Sequence, residues 1–197
     1  MARTRAQDYD DKRNSILRTS AQVFAEEGYD RSSMSKIADA CHVSKALLYH
    51  YYDNKEQLLF DILDAHLDGI LSTLRAVDTE DVSPEERLLR LITALLDVYK
   101  DADAEHKVQV NALATLPPET QAGLKAKERE IVAIFLDAFA GISPAVDANP
   151  SLLKPVVMSL FGILNWKYMW FKEGGPLARE EYARIATTLI INGARGL

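Results

Sequence analysis

Hydroxyl, cationic and imidazole side chains are concentrated between residues 33 and 55 of this 197-residue chain. Ser33 and Ser44 each precede a short segment with helical apolar spacing, where a serine oxygen caps the first turn. The free backbone N–H groups of such a turn bind phosphate well. Lys45 and His50, which follow the second serine, have side chains that reach phosphates or base edges. These residue types and spacings indicate binding to nucleic acid.

Motifs for catalysis are missing from the sequence. It contains no Gly-rich phosphate loop, no His-x-x-x-His pair and no Gly-x-Ser-x-Gly elbow. The four histidines are scattered without metal-ligand spacing, and no Glu-x-x-His occurs. Cys41 is the single cysteine, and it shares a helical face with apolar residues, as a small core residue does. We therefore expect no enzymatic activity, no cofactor and no metal site.

The segment of residues 33–59 reads as two short helices around a tight turn, followed by the start of a third helix. The first helix buries Ile37 and Ala38, the turn lies at residues 42–44, and the second helix runs from Lys45 to Tyr51. Two helices joined by a turn of three or four residues form a helix-turn-helix, whose second helix fits the DNA major groove. The segment therefore predicts a DNA-binding motif.

Helical spacing continues through the rest of the chain, and no segment alternates with period two. A helix begins at Asn54, because Asn54 and Gln57 have the spacing of a capping box, and it continues to about Leu74. The sequence therefore predicts an all-α protein. Further helices are expected over residues 10–27, 84–99, 104–116, 119–140, 151–172 and 178–194, with a linker at 141–150.

The charged residues are distributed unevenly. Residues 1–55 carry nine basic and eight acidic side chains, a net charge of +1, whereas residues 56–197 carry 14 and 21, a net charge of −7. An N-terminal part that is spared the acidity suits phosphate binding. No apolar stretch of eighteen residues occurs and the N-terminus has no apolar signal region, so we expect a cytoplasmic protein without a membrane segment.

The predicted helix over residues 151–172 contains VVMSLFGILNWKYMWFK and is apolar around most of its circumference. One face can serve the core of the monomer, and the opposite face then needs a partner. A second copy is expected, because two-fold dimers are the commonest oligomers. Together with the final helix, which carries Ile185 and Leu189, it predicts a four-helix seam in a homodimer. Such a dimer would present two recognition helices about 34 Å apart to a pseudo-palindromic operator.

The segment 33–59 resembles the DNA-binding signature of the TetR/AcrR family of bacterial regulators. The family pattern is Thr or Ser before Ile-Ala, a turn with Val-Ser, then Leu-Tyr-x-Tyr-Phe and Lys-Glu-x-Leu. The corresponding residues of this chain are Ser33, Ile37-Ala38, Val43-Ser44, Leu48-Tyr49-His50-Tyr51-Tyr52 and Lys55-Glu56-Gln57-Leu58, preceded by Phe24 and Gly28. The chain departs from the pattern at His42, where the family often has Gly, and at Lys36, where it often has an acidic residue.

The resemblance implies an N-terminal three-helix helix-turn-helix DNA-binding domain at residues 1–55. It further implies a C-terminal helical ligand-binding and dimerisation domain at residues 56–197. The implied function is that of a ligand-responsive, sequence-specific transcriptional regulator, a homodimeric repressor that a small-molecule effector releases from its operator. Residues 41–59 and 106–119 are also similar to regulators of phenylacetate degradation, which implies an acyl-CoA thioester as the effector. The basic residues that would serve such an anion are Lys107, Lys125, Lys127, Arg129 or Lys167.

On the second helix of the motif, Leu48 is expected to pack inward. We expect Lys45 to reach a guanine edge or a phosphate, His50 to read a base, and Ala46 to meet a thymine methyl group. Tyr49 is expected to donate its hydroxyl to a phosphate. The further phosphate candidates, all near helix starts, are Ser33, Lys36, Ser44 and Lys55. The alternative is that these polar residues form a solvated face.

Candidate effector contacts are fewer and rest on weaker patterns. Phe161, Asn165 and Tyr168 share one helical face, and a buried Asn165 amide needs partners. Asn165 can orient a ligand or fix the dimer seam, and His106 and Asn111 form a second polar cluster. The alternative function is a helical assembly or small-molecule-binding protein without sequence-specific DNA binding. Sequence-selective duplex binding that weakens with salt discriminates between the two functions.

Overall fold

A computed structural model of the chain describes residues 2–79 and 81–197, with the side chains of all of these except residues 2–6. In these ranges the backbone forms helices and loops and no β-strand, which confirms the predicted all-α fold. The α-helices are α1 (Ala2–Glu27), α2 (Met34–Ala40), α3 (Lys45–Tyr51), α4 (Lys55–Val77), α5 (Pro84–Val98), α6 (Asp103–Ala112), α7 (Pro118–Ala138), α8 (Pro144–Ala148), α9 (Leu153–Asn165) and α10 (Arg179–Arg195). Short 3₁₀ segments lie at Tyr99–Asp101, Leu113–Thr115, Pro150–Leu152 and Trp166–Met169.

The chain divides into two compact units. The first unit consists of Met1–Asp68 and Ala102–Lys125, and the second consists of Gly69–Asp101 and Ala126–Leu197. The first unit therefore extends beyond residue 55, the predicted end of the DNA-binding domain. Residues of α4 and α7 belong to both units.

In the first unit, α1 is the longest helix and packs against α2 and α6. It buries Ile16, Ala21 and Phe24 at helical spacing. The helix ends at Gly28, which adopts φ +89° and whose N–H donates to the carbonyl oxygen of Phe24 at 3.0 Å. The helix begins at Ala2, eight residues earlier than predicted. The prediction missed residues 2–9 because they are helical without a strong apolar pattern.

In the second unit, α10 packs against α5, α8 and α9. Pro84 occupies the first turn of α5, as predicted, and the hydroxyl oxygen of Ser83 accepts from the N–H of Glu86 at 3.3 Å. The interior is aliphatic, with fully buried Leu95, Leu160 and Ala186 contributed by α5, α9 and α10.

The linker predicted at residues 141–150 is wrong. The segment contains α8, capped by Ser143, and its Ile142, Ser143 and Val146 are buried. The hydroxyl of Ser143 donates to the carbonyl oxygen of Ala194 at 2.7 Å, near the end of α10. A turn-rich composition hides this packing because the acceptor lies 51 residues away.

The single helix predicted over residues 151–172 is also wrong. It is divided into a 3₁₀ segment, α9 and a second 3₁₀ segment. The α-helix ends where the side chain of Lys167, only 3 % exposed, turns into the interior. Its ammonium lies 3.9 Å from a carboxylate oxygen of Glu173 and 5.2 Å from the centre of the Phe171 ring. Arg179, also buried, shares the Glu173 carboxylate.

Candidate nucleic-acid interface

The N-terminus of α2 is capped as the sequence predicts. Ser33 has extended backbone, with φ −137° and ψ 155°, and its hydroxyl oxygen accepts from the N–H of Lys36 at 3.3 Å. Ile37 and Ala38 are buried beneath it. Ser33 itself is exposed, so the capped first turn of α2 faces solvent.

The turn between α2 and α3 depends on His42, which adopts φ +52°. Its N–H donates to the carbonyl oxygen of Asp39 at 3.1 Å, and the N–H of Val43 donates to that of Ala38 at 3.0 Å. These two bonds form a Schellman motif with His42 at the left-handed position. Histidine tolerates this conformation better than most residues do, which explains why it can replace the glycine common in the family pattern.

The second helix of the motif, α3, has the predicted bounds and the predicted cap. The hydroxyl oxygen of Ser44 accepts from the N–H of Leu47 at 3.1 Å. Leu48 is the buried residue of the helix. The exposed polar and small side chains on α3, called the recognition face below, are Lys45, Ala46, Tyr49 and His50.

The C-terminal turn of α3 is supported from α1. The ring of Tyr51 stacks on that of Tyr9, with centroids 4.7 Å apart and planes at 23°. Tyr52 follows as a buried residue, and burial raises its pKa to about 12. Arg13, one turn after Tyr9, donates to Asp61 of α4 at 2.6 Å. The sequence analysis missed Tyr9 and Arg13, although their four-residue spacing places them on one face of α1.

The third helix of the motif begins with the predicted capping pair, Asn54 and Gln57, but one of the two capping bonds is made to a different residue. The side-chain oxygen of Asn54 accepts from the N–H of Gln57 at 2.8 Å. The amide oxygen of Gln57 accepts from the N–H of Asp53 at 3.0 Å, one residue before the cap. The two bonds satisfy the N–H of Gln57 in the first turn of α4 and the N–H of Asp53 just before the cap.

Two of the predicted phosphate candidates have partners within the first unit. The ammonium of Lys36 lies 2.7 Å from Glu27, and both side chains are exposed. Such a surface pair contributes little and opens readily. The ammonium of Lys55 donates to the carbonyl oxygens of Tyr29 and Ser32 at 2.6 and 3.1 Å.

The candidate effector residues fall into different units. In the first unit, His106 is buried with its ring 6.4 Å from that of His66. Burial, reinforced by the neighbouring His106, lowers the pKa of His66 to about 4. Asn111 is exposed and its amide donates to the carbonyl oxygen of Lys107 on its own helix at 2.8 Å.

In the second unit, Phe161 packs edge-on against Phe135, with centroids 5.0 Å apart. The amide oxygen of Asn165 accepts from the hydroxyl of Tyr99 at 3.0 Å. Tyr168 is half-buried with its ring near Trp166. Asn165 therefore ties the end of α9 to the 3₁₀ segment after α5.

Two family models match the chain. The model of bacterial regulatory proteins of the tetR family matches residues 16–62, which include α2 and α3. The model of the tetracyclin repressor-like C-terminal domain matches residues 81–194. The chain belongs to the TetR family of bacterial regulatory proteins. The resemblance drawn from the motif is therefore confirmed, and the family covers most of the chain.

Solved structures and curated relatives also place the chain in this family. A TetR-family regulator from Bordetella parapertussis 12822 is 34 % identical with a TM-score of 0.86, over 94 % of this chain and 96 % of that one. AibR, solved in complex with isovaleryl coenzyme A and operator DNA, is 31 % identical with a TM-score of 0.76, over 90 % and 97 %. The HTH-type transcriptional repressor KstR2 of Mycolicibacterium smegmatis is 23 % identical over 186 residues, 92 % of this chain and 90 % of the relative.

As a TetR-family member, the chain is a DNA-binding transcriptional regulator and not an enzyme, as the sequence predicts. In the described part of the chain, no three His, Cys, Asp or Glu side chains come together as a metal site requires. None of the helices within residues 2–79 and 81–197 is long and apolar enough to cross a membrane.

A second exposed surface of this TetR-family chain is apolar. On α9 and at its end, Met158 and Trp166 are 47 % and 60 % exposed, and on α10 Ile185 and Leu189 are 40 % and 60 % exposed. Gly162 lies between Met158 and Trp166 at four-residue spacing, so the α9 positions share one side of the helix. These four large side chains are called the apolar face below.

Proposed function

We propose that the protein is a homodimeric repressor that binds a pseudo-palindromic operator through its recognition face and is released by a small-molecule effector. The observation that carries the proposal is α3 itself. It is capped by Ser44, anchored by Leu48, and leaves Lys45, Tyr49 and His50 exposed. A helix that buries one residue and exposes base-reading and phosphate-binding side chains fits the major groove.

The proposed roles of individual residues follow from position on α3. Lys45 in the first turn contacts a guanine edge or a phosphate, Ala46 contacts a thymine methyl group, and His50 reads a base. The hydroxyl of Tyr49 donates to a phosphate. The capped N-termini at Ser33 and Ser44 bind phosphates through backbone N–H groups, and Lys36 joins them by leaving Glu27.

The apolar face supports the dimer. Large apolar side chains grouped on adjacent helices mark an interaction site, and α9 and α10 pack on one another. A self-complementary contact through this face gives a two-fold dimer with four helices at the seam. Two recognition faces then bind two half-sites about one DNA turn, roughly 34 Å, apart.

An acyl-CoA thioester is the effector class that we propose. AibR, which shares the fold and 31 % of aligned residues, was solved with isovaleryl coenzyme A. Of the predicted basic residues, Lys107, Lys125 and Arg129 are exposed and suited to the phosphates of coenzyme A. Lys167 is buried against Glu173 and is a poor candidate for a pocket mouth.

Selection of duplexes from a random pool tests operator binding. Wild type should recover a palindrome, and a Tyr49→Ala, His50→Ala double variant should lose binding to it by about a hundredfold, since each base or phosphate contact is worth about 1–3 kcal/mol. The control is Val110→Ala, an exposed position of α6. If wild type bound all sequences equally, the proposed repressor function would be wrong.

Titration of the operator complex with isovaleryl-CoA and phenylacetyl-CoA tests the effector. We expect one of the thioesters to lower operator affinity and to raise the melting temperature of the free protein, because a ligand that prefers one state shifts the equilibrium towards it. Free coenzyme A is the matched control. Equal operator affinity with and without both thioesters would remove acyl-CoA from the proposal.

A further inference from the structure

The first turn of α4 is joined to the loop between α1 and α2 by one side chain. The ammonium of Lys55 donates to the carbonyl oxygen of Tyr29 at 2.6 Å and to that of Ser32 at 3.1 Å. It also lies 4.2 Å from the centre of the Tyr29 ring. Lys55 is half-buried in this position, with two carbonyl oxygens and one aromatic ring next to its charge.

This environment is a poor one for a phosphate contact. An ammonium has three hydrogen-bond donors, and two of them are already used by carbonyl oxygens of the loop. The Tyr29 ring adds a cation–π attraction that strengthens where water is excluded. To bind a phosphate through more than its one remaining donor, Lys55 would have to release a part-buried bond to the carbonyl oxygen of Tyr29 or of Ser32, which is unfavourable. Among the described side chains, those of residues 7–79 and 81–197, Lys45 has no such partner.

The loop that Lys55 holds leads directly into the cap of α2. The carbonyl oxygen of Tyr29 also accepts from the hydroxyl of Ser32 at 2.7 Å and from its N–H at 3.3 Å. Ser32 is buried, and the next residue is Ser33, whose hydroxyl caps α2. A displacement of the first turn of α4 therefore acts on the two carbonyl groups that set the position of Ser33.

We propose that Lys55 is a positioning residue that ties the start of α4 to the capped N-terminus of α2, and that it does not itself contact DNA. The inference rests on the proposed operator binding. According to this proposal, a movement of the start of α4 affects two parts of the first unit. One is the orientation of α3, which directly precedes α4 in the chain, and the other is the cap of α2, reached through the Lys55 ammonium.

The salt dependence of operator binding separates positioning from phosphate contact. Loss of one phosphate contact reduces the slope of log K against log salt by about 0.9. For Lys55→Gln we expect operator affinity to fall about tenfold at every salt concentration, with the wild-type slope, because a charge-assisted bond is lost without loss of a phosphate contact. Lys45→Gln is the matched control, and its slope should decrease by about 0.9.

Amide hydrogen exchange in the free protein gives a second readout that needs no DNA. We expect faster exchange at residues 34–37 in Lys55→Gln and wild-type exchange there in Lys45→Gln, because the tether fixes the first turn of α2. Tyr29→Leu removes the ring and keeps the carbonyl group. We expect the same loss of operator affinity with an unchanged salt slope, and the same faster exchange at residues 34–37, both smaller than in Lys55→Gln. Tyr29→Leu replaces Lys55→Gln in the test if that variant does not fold.

The outcomes are distinct. A Lys55→Gln slope that falls with that of Lys45→Gln, or wild-type exchange at residues 34–37, overturns the positioning role. Altered exchange in a protein whose wild type shows no sequence-selective binding supports the tether and contradicts the repressor function instead.

Discussion

The recognition face and the apolar face expose opposite chemistry and are held in different ways. The recognition face presents polar side chains to water, and we propose that they bind DNA. Its helix is set by local bonds, such as the one from Leu47 to Ser44. The apolar face exposes Trp166 and Leu189, whose hydration is unfavourable. In the proposed function, the first surface acts from a single chain, and the second requires a second copy of the chain. The two surfaces should therefore respond differently to mutation.

A charge on the apolar face should have the largest effect. Leu189→Arg is expected to convert the dimer to monomers and to lower operator affinity about a thousandfold, because the gain from binding two linked half-sites is 10²–10⁴. Sedimentation and fluorescence anisotropy would measure both quantities. Val110→Arg, at an equally exposed position of α6, should leave both unchanged. A monomeric Leu189→Arg variant with wild-type affinity would show that the two faces act independently.

Acid should weaken the unit that carries the recognition face. The folded-state pKa of His66 is about 4, below its ordinary 6.5. Between these two pH values, His66 binds a proton in the unfolded chain but stays neutral in the folded chain. The free energy of unfolding therefore falls as the pH drops below about 6.5. Between pH 7 and pH 5 the free energy of unfolding should decrease by about 2 kcal/mol. Denaturant titrations of wild type and His66→Gln at both pH values would measure this. In the variant, the free energy of unfolding should change less between pH 7 and pH 5 than in wild type. Identical pH profiles would rule out the neutral buried imidazole.

Loss of one buried hydroxyl tests the long-range bonds of the second unit. In Ser143→Ala, the carbonyl oxygen of Ala194 loses its donor and the first turn of α8 loses its cap. We expect the free energy of unfolding to decrease by about 1–2 kcal/mol. Ser159→Ala, whose exposed hydroxyl donates within its own helix, is the control. Equal stabilities of the two variants would mean that α8 is not anchored through Ser143.

The smallest effect is expected from a cap at the recognition face. Ser44→Ala removes the acceptor for the N–H of Leu47 and should decrease the free energy of unfolding by about 1 kcal/mol. Ser35→Ala, at an exposed position inside α2, should be neutral or slightly stabilising because alanine has the higher helix propensity. Chemical denaturation would measure both. A larger loss in Ser35→Ala than in Ser44→Ala would contradict local capping as the support of α3.

The same division explains what the sequence could predict. The caps at Ser33 and Ser44 and the turn at His42 depend on neighbours within a few residues, and each was found from residue type and spacing. Ser143 and Lys167 depend on partners supplied by folding, so composition alone indicated a linker and an uninterrupted helix. Lys55 illustrates both cases, since its position at a helix start was correctly predicted and its bonds to the preceding loop were not.

The burial of a single α3 residue, Leu48, has an evolutionary consequence. Because the exposed positions of the recognition face contribute little to the folded state, they can change without destabilising it. If these positions read the operator as proposed, a lineage of such proteins can acquire new operator sequences by drift at them. A combinatorial library at residues 45, 46, 49 and 50 would sample new specificities in a scaffold that continues to fold.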